Sequence, residues 1–468
     1  MLFNSLHFLF FLPVVVALYY FLPFKYRWIL IFFASCYFYM AFVPKYILIL
    51  FLIIVIDYSS AIAIERAEGK KKRHWLIASL LSNILLLCFF KYFNFLNENL
   101  VYTFNFFGKE FHPVNLNIIL PIGLSFHTFQ SMSYTIEVYR GKQKAERHLG
   151  YFANYVLFFP QMVAGPIERY NHLGNALKKE HKPLYNNFSD GFKLVLFGLF
   201  VKMVIADNIA PFVNSVYLDP TIYNSLEILE AIFLFSFQIY ADFYGYSIIA
   251  VGCARLLGIN IMDNFKTPYL SKSISEFWSR WHISLSTWFR DYLYIPLGGN
   301  RVKLPRWSVN ILVVFMVSGL WHGASWTFVV WGALHGVMML AERYFSRLFK
   351  FEVKKRWSFL NILLVLKTFV ITSFIWIFFR AEDFPKAKEI ISSLFRNTGI
   401  TFSDLNLLTP SLFIGLLVVS DVFTYNSRFD KKLNSFLTPY RWAVYTVLLF
   451  CLFALSGTQK FAFIYFQF

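Results

Sequence analysis

Charged residues are scarce in this 468-residue chain, at 15% against 58% apolar and 21% aromatic. A soluble domain needs more polar surface than that, so a water-soluble globular protein is excluded. Cysteine is scarce too. Cys36, Cys88, Cys253 and Cys451 fall within apolar segments without close pairing, so neither a disulfide framework nor a zinc site is indicated, and no metal is expected. No serine- or glycine-rich linker, low-complexity tract or repeat divides the chain, which reads as a single domain over residues 1–468. A small-residue cleavage site is missing after the first apolar stretch, which therefore reads as a retained anchor.

What the chain has is hydrophobic length. Roughly 20 apolar residues cross a bilayer, and residues 8–24, 46–64, 75–96 and 359–379 are among the stretches that suffice. The pattern predicts an all-α integral membrane protein with about eleven or twelve transmembrane helices. Lysine and arginine number 44 against 26 aspartates and glutamates. That excess lies in short loops between spans, where an anionic inner leaflet accounts for it, so membrane lipids and no nucleic acid are the expected partners. Basic clusters at 70–73, 140–147 and 343–356 should face the cytoplasm, and counting spans from them places both termini outside.

Two regions interrupt the spans. Residues 150–166, GYFANYVLFFPQMVAGP, are apolar but short and end on Pro160, Gly165 and Pro166, which predicts a re-entrant element buried in protein or lining a cavity. Residues 265–306 are amphipathic. Ser273 and Glu276 have capping-box spacing, and Ile274, Trp278, Trp281, Leu285, Trp288 and Tyr292 recur at three- and four-residue steps. One helix with one apolar stripe is predicted, lying in the cytoplasmic interface and stopped by Pro296-Leu297-Gly298-Gly299.

Ionisable residues inside apolar segments are costly and mark pathways or sites; here they are Asp57, Lys91, Glu137, Lys193, Lys202, Asp207 and Asp242. Long lysines can snorkel. Asp242, flanked by Gln238, Tyr240, Tyr244 and Tyr246, either joins a structural hydrogen-bond network or faces an aqueous cavity. His127 and His335 are each either packing residues or site residues. His322 stands among Gly319, Gly323 and Ala324, which let another backbone or a ligand approach. A buried, neutral imidazole there can take a proton from a hydroxyl. In an unbroken helix His322 and His335 would point roughly 220° apart, so both face one site only if the helix breaks. The chain ends on FIYFQF, where Tyr465 carries the one hydroxyl.

Four stretches, FFPQMVAGPIERY, FQIYADFYGYSIIAVGCARLLG, SISEFWSRWHISLSTWFRDYLYIPLGGNR and GLWHGASWTFVVWGALHG, together resemble the membrane-bound O-acyltransferase superfamily. The resemblance is to its bacterial branch, which includes the membrane subunit of alginate O-acetylation, the peptidoglycan O-acetyltransferase and the D-alanine transfer protein of teichoic acids. It runs nearly the full length. It implies helices around a central tunnel in the cell inner (cytoplasmic) membrane, no bound cofactor, and a cytoplasmic thioester donor such as acetyl-CoA or an acyl carrier protein. His322, within 307–342, matches the essential histidine and His282 the second one. Trp321, Asn300, Asp242 and His127 would line the tunnel. One departure is that Ile248 and Tyr244 replace the acidic residue and the first serine of the usual motif around Asp242.

The resemblance also implies that Tyr465, in the extracytoplasmic motif 463–468, relays the acyl group to a serine of an SGNH-type acetyltransferase partner; the other reading is an aromatic belt at the interface. The implied activity is O-acetylation of an extracytoplasmic polysaccharide. Alternatives are D-alanyl transfer to teichoic acid, a polysaccharide transporter and a non-catalytic scaffold. For a transporter, a repeated pair of interrupted segments would be expected, and none is seen.

Overall fold

The computed structural model describes the chain apart from residues 115, 117–119, 164, 350–357, 397–407, 426, 458–460, 462 and 467–468. Among the described residues the regular structure is helical, with no strand. Among the described residues, six helices are long and apolar enough to cross a membrane: Pro44–Arg66, Gly69–Phe106, Tyr185–Leu218, Leu304–His322, Phe359–Arg380 and Thr438–Leu455. Further apolar helices, such as Leu6–Phe21, are shorter. Large apolar side chains including Phe10, Phe21, Phe106 and Phe453 are exposed, a coat suited to lipid and not to water.

The chain packs as two compact units, Met1–Gly191 with Ala250–Met262, and Phe192–Ile249 with Asp263–Phe468. In the first, Asp57 is fully buried and accepts hydrogen bonds from Ser79 Oγ (2.7 Å), Asn83 Nδ2 (2.9 Å) and the Ser131 hydroxyl. Its role is structural. Helix Leu149–Leu157 then gives way to non-helical chain in which Phe158 and Phe159 are wholly buried. The backbone freed there is satisfied within the protein: Phe159 N–H donates to Ser35 Oγ (3.1 Å) and Gly165 N–H to Gln161 O (3.0 Å). This is the buried, broken backbone expected at 150–166.

The second unit contains a tight hairpin of Leu304–His322 and Trp326–Phe349. A Cβ on Gly319 would lie 2.1 Å from Phe328 O, and one on Gly332 would lie 2.1 Å from Phe315 O. The small residues around His322 therefore admit the backbone of the following helix. The first helix ends at His322 because Gly323 is extended, with φ −155° and ψ 151°.

The single amphipathic helix expected over 274–292 is corrected. Ile274–Arg280 and Ile283–Phe289 are separate short helices, followed by a wide π-type turn at Arg290–Tyr294. Between the first two, Trp281 is extended and His282 is left-handed, with φ 44° and ψ 55°. Nor does the stripe lie flat at an interface, since Trp281 and Leu285 are buried. Trp281 packs on Phe277 (ring centroids 5.4 Å apart) and Trp376 (5.1 Å), and this burial overrides the helical period. The cap forms at Ser273, whose Oγ accepts from Glu276 N–H (3.1 Å), while the Glu276 carboxylate accepts from Lys272 N–H (2.9 Å), one residue before the cap. Gly298 and Gly299, with φ 111° and 56°, form the expected stop.

The hairpin contact predicts that Gly319→Ala is destabilising by about 1–3 kcal/mol, the usual cost of overpacking. Thermal unfolding in detergent should show a lower midpoint for Gly319→Ala, and none of that loss for Gly415→Ala, where nothing lies within 4 Å of the added carbon.

Candidate active site

Four of the sequence candidates, His322, His282, Tyr465 and Trp321, meet in the second unit. His322 closes its helix at Gly323, and its ring lies 6.5 Å from that of His282 and 5.7 Å from that of Tyr465, centroid to centroid. Trp321 stands edge-on to His322 (4.9 Å) and 6.4 Å from His282. Phe243 ties the group together, edge-on to His282 at 4.8 Å and 4.5 Å from Tyr465. Phe379 and Trp331 complete the wall, at 5.5 and 5.1 Å from His322. None of these three packing rings stood out in the sequence; Phe243 and Trp331 lie in the motifs that carry other candidates, and Phe379 only in the apolar stretch 359–379.

His282 is held in place by its neighbours. Asn264 O accepts from Ile283 N–H (2.9 Å), and Asn264 Oδ1 accepts from Ser284 Oγ (2.6 Å). These bonds fix the start of helix Ile283–Phe289 and hold His282 at a positive φ, which costs a non-glycine residue of order 1 kcal/mol or more. The side chain is fully buried, and burial lowers its pKa to about 3, so the ring is neutral at physiological pH.

Tyr465 enters on a 3₁₀ turn, Ile464–Phe466, that follows the fully buried Phe463. Among the described residues its hydroxyl has no hydrogen-bond partner, and burial raises the phenol well above its ordinary range. Asp242, one residue before Phe243, accepts from Ile464 N–H at 2.7 Å and pairs with Lys202 Nζ at 2.6 Å. Lys202 also pairs with Asp207, at 2.7 Å. Asp242 thus belongs to an internal network, the first of the two readings left open for it, and it also touches the segment that carries Tyr465. The Lys202 partner was visible only as one more charge in an apolar segment.

The other candidates lie elsewhere. Asn300 is exposed in the turn after Gly299, and no described contact joins it to the histidines. His127 belongs to the first unit, where its Nδ1 lies 2.9 Å from Val156 O and its ring 6.4 Å from that of Tyr39. His335 is buried beside Trp331 at 5.2 Å, stacked on Phe277. Among the described residues, no three histidine, cysteine or acidic side chains are grouped to hold a metal.

Two buried imidazoles, that of His282 neutral, beside a phenol in an aromatic pocket suit proton transfer between a hydroxyl and a base. The family model described as membrane-bound O-acyltransferase matches residues 72–380. The chain belongs to this family. The matched range includes Asp242, His282, Trp321 and His322, while Tyr465 lies beyond it. This membrane-bound O-acyltransferase is 38% identical over 413 residues to a probable alginate O-acetylase of Azotobacter vinelandii, covering 87% of this chain and 80% of that one. It is 35% identical over 444 residues to a peptidoglycan O-acetyltransferase of Helicobacter pylori, covering 87% and 82%. A teichoic acid D-alanyltransferase of Bacillus subtilis matches at 30% over 293 residues, 58% of this chain and 71% of that one.

In an O-acyltransferase with this geometry, the imidazole of His282 and the conformation of its backbone are separable. Asparagine tolerates the left-handed region, so His282→Asn should keep the unfolding midpoint of the parent while acyl transfer falls at least tenfold. Equal activity in the two proteins would show that only the turn matters.

Proposed function

We propose that this acyltransferase carries an acyl group, acetyl in the first instance, from a cytoplasmic thioester across the inner membrane for O-acetylation of an extracytoplasmic polysaccharide, with Tyr465 as the first acceptor. The observation that carries the reading is the 5.7 Å separation of the Tyr465 and His322 rings. An aromatic belt at the interface would have no reason to bring its one hydroxyl to the buried histidines.

His322 takes the phenolic proton as Tyr465 Oη attacks the thioester carbonyl carbon. The tetrahedral intermediate collapses with cleavage of the C–S bond, and the imidazolium returns the proton to the leaving sulfur. The products are a tyrosyl ester and a free thiol. Phenol and thiol have similar acidities, about 10 and about 8.5 in their model compounds, so the aryl ester keeps much of the thioester's reactivity. Transfer from it to an aliphatic hydroxyl, such as the serine of an SGNH-type partner, is then downhill. The highly charged acyl carrier, acetyl-CoA or an acyl carrier protein, stays in the cytoplasm throughout. Both termini are outside in this scheme, which sets Tyr465 on the side where the acyl group must emerge.

Acetyl is favoured over D-alanyl because the relatives named for O-acetylation align over 87% of this chain and the one named for D-alanyl transfer over 58%. Tyr465→Phe preserves the ring packing and removes the nucleophile, and it is expected to abolish labelling of the protein by radioactive acetyl-CoA together with polymer acetylation. Normal polymer acetylation in that variant would refute the relay. His322→Ala should lower thioester consumption by about 10²–10⁴-fold, the usual contribution of a general base, in a protein that still inserts.

A further inference from the structure

We infer that Asp242 is the positioning residue of the tail: by accepting the Ile464 backbone N–H it sets the next side chain, Tyr465, against His322. The inference rests on the reading of Tyr465 as acyl acceptor and goes beyond it by assigning what holds the acceptor in place.

The first N–H groups of a helical turn have no partner inside it, and a buried backbone donor must find one elsewhere. Ile464 opens the 3₁₀ turn and is buried. Its N–H donates to Asp242 Oδ2 at 2.7 Å, while Lys202 Nζ holds Oδ1 at 2.6 Å. The two oxygens are divided between the tail and the ion pair. Lys202 is in turn kept by Asp207 at 2.7 Å and lies over the ring of Tyr246 at 5.7 Å, and that ring packs on Phe463 at 4.8 Å. The carboxylate thus has a fixed orientation before the tail arrives, and only one residue separates the bond from the reacting phenol. Asp242 touches no reacting atom in this arrangement and acts through the backbone of Ile464.

The clamp can also release. A cavity of about 20 Å³, lined by Lys202, Asp207, Gln238, Asp242, Arg380 and Ile464 among others, adjoins the bond. It is polar and has room for about one water, which can take over the carboxylate oxygen when the tail withdraws to hand on its acyl group.

The test uses the purified full-length chain with labelled acetyl-CoA and reads two quantities, label on the peptide containing Tyr465 and total thioester consumed. A general loss of structure lowers both and leaves their ratio alone; loss of the clamp lowers the ratio, because water replaces the mispositioned phenol. Ile464→Pro removes the N–H while suiting the first position of a helical turn, and should reduce the ratio at least tenfold, with Ile464→Val near the parent. Asp242→Asn keeps an acceptor oxygen and leaves Lys202 paired with Asp207, so it should stay within about threefold. Asp242→Ala should fall as far as Ile464→Pro, and the two together no further, as expected for partners in one bond. An unchanged ratio in Ile464→Pro overturns the clamp, as do additive losses in the double variant. A parent protein that consumes thioester but never labels Tyr465 overturns the relay reading itself, and the clamp with it.

Discussion

The near-contact of two helix backbones, at Gly319 against Phe328 O and Gly332 against Phe315 O, governs where everything else in the site can stand. Side chains of any size at these glycines would push the helices Leu304–His322 and Trp326–Phe349 apart. With them close, the extended Gly323 turns the chain over within a few residues, and His322 is left at the end of its helix with Trp331 against its ring at 5.1 Å. The same break lets His322 and His335 pack on the one indole, which an unbroken helix would prevent. Packing of small residues is the ordinary way for apolar helices to associate where no water drives them together. Here it also places His322.

Around that contact the protein excludes water and must then find a partner for every charge it encloses. Asp57 in the first unit meets this with three side-chain donors and no cation. In the second unit Lys202 meets it with two carboxylates. Removing one partner from a buried pair costs about 3–5 kcal/mol, whereas the intact pair contributes little, so the stability of the fold does not originate in these groups. Asp57 commits all of its oxygens to the fold. Asp242 has one oxygen left over for the incoming tail, and this difference separates a structural carboxylate from one that can serve a site.

Much of this is legible in the sequence. Hydrophobic length and the scarcity of charge are whole-chain properties, so the helical, membrane-spanning class follows from composition alone. The broken element at 150–166 is visible because proline and glycine act locally. His322 is visible because the small residues Gly319, Gly323 and Ala324 leave room around a polar ring in an apolar run. The 274–292 region misleads for a physical reason: its three- and four-residue spacing is real, but Trp281 gains more by burial against Phe277 and Trp376 than by continuing a helix, and no periodicity reports that competition. Asp242 and Lys202 each stand out as a charge, yet their pairing across 40 residues, and the N–H of Ile464 a further 222 residues on, are matters of tertiary placement. Asn300 carries family weight in the sequence and is exposed in the structure.

What would the proposed relay gain by seating part of the enzyme's own chain beside the buried His322? A hydroxyl attacking a thioester competes with water, which in bulk is far more abundant than any side chain. Burial removes that competitor, but it also shuts out a large extracellular acceptor. A phenol on a short turn reconciles the two demands. Phe243, Phe379 and Phe463 surround Tyr465 at 4.5, 6.0 and 5.4 Å, so the acceptor of the proposed relay is shielded from bulk water. Tethering makes its local concentration that of an intramolecular group, which can replace several kcal/mol of entropic barrier. The rings supply non-directional contact that can be made and broken without leaving unpaired polar atoms. The directional bond from Ile464 N–H to Asp242 supplies register in the proposed relay. In the proposed relay, a directional bond within an aromatic sleeve is what aims the phenol and still lets it go.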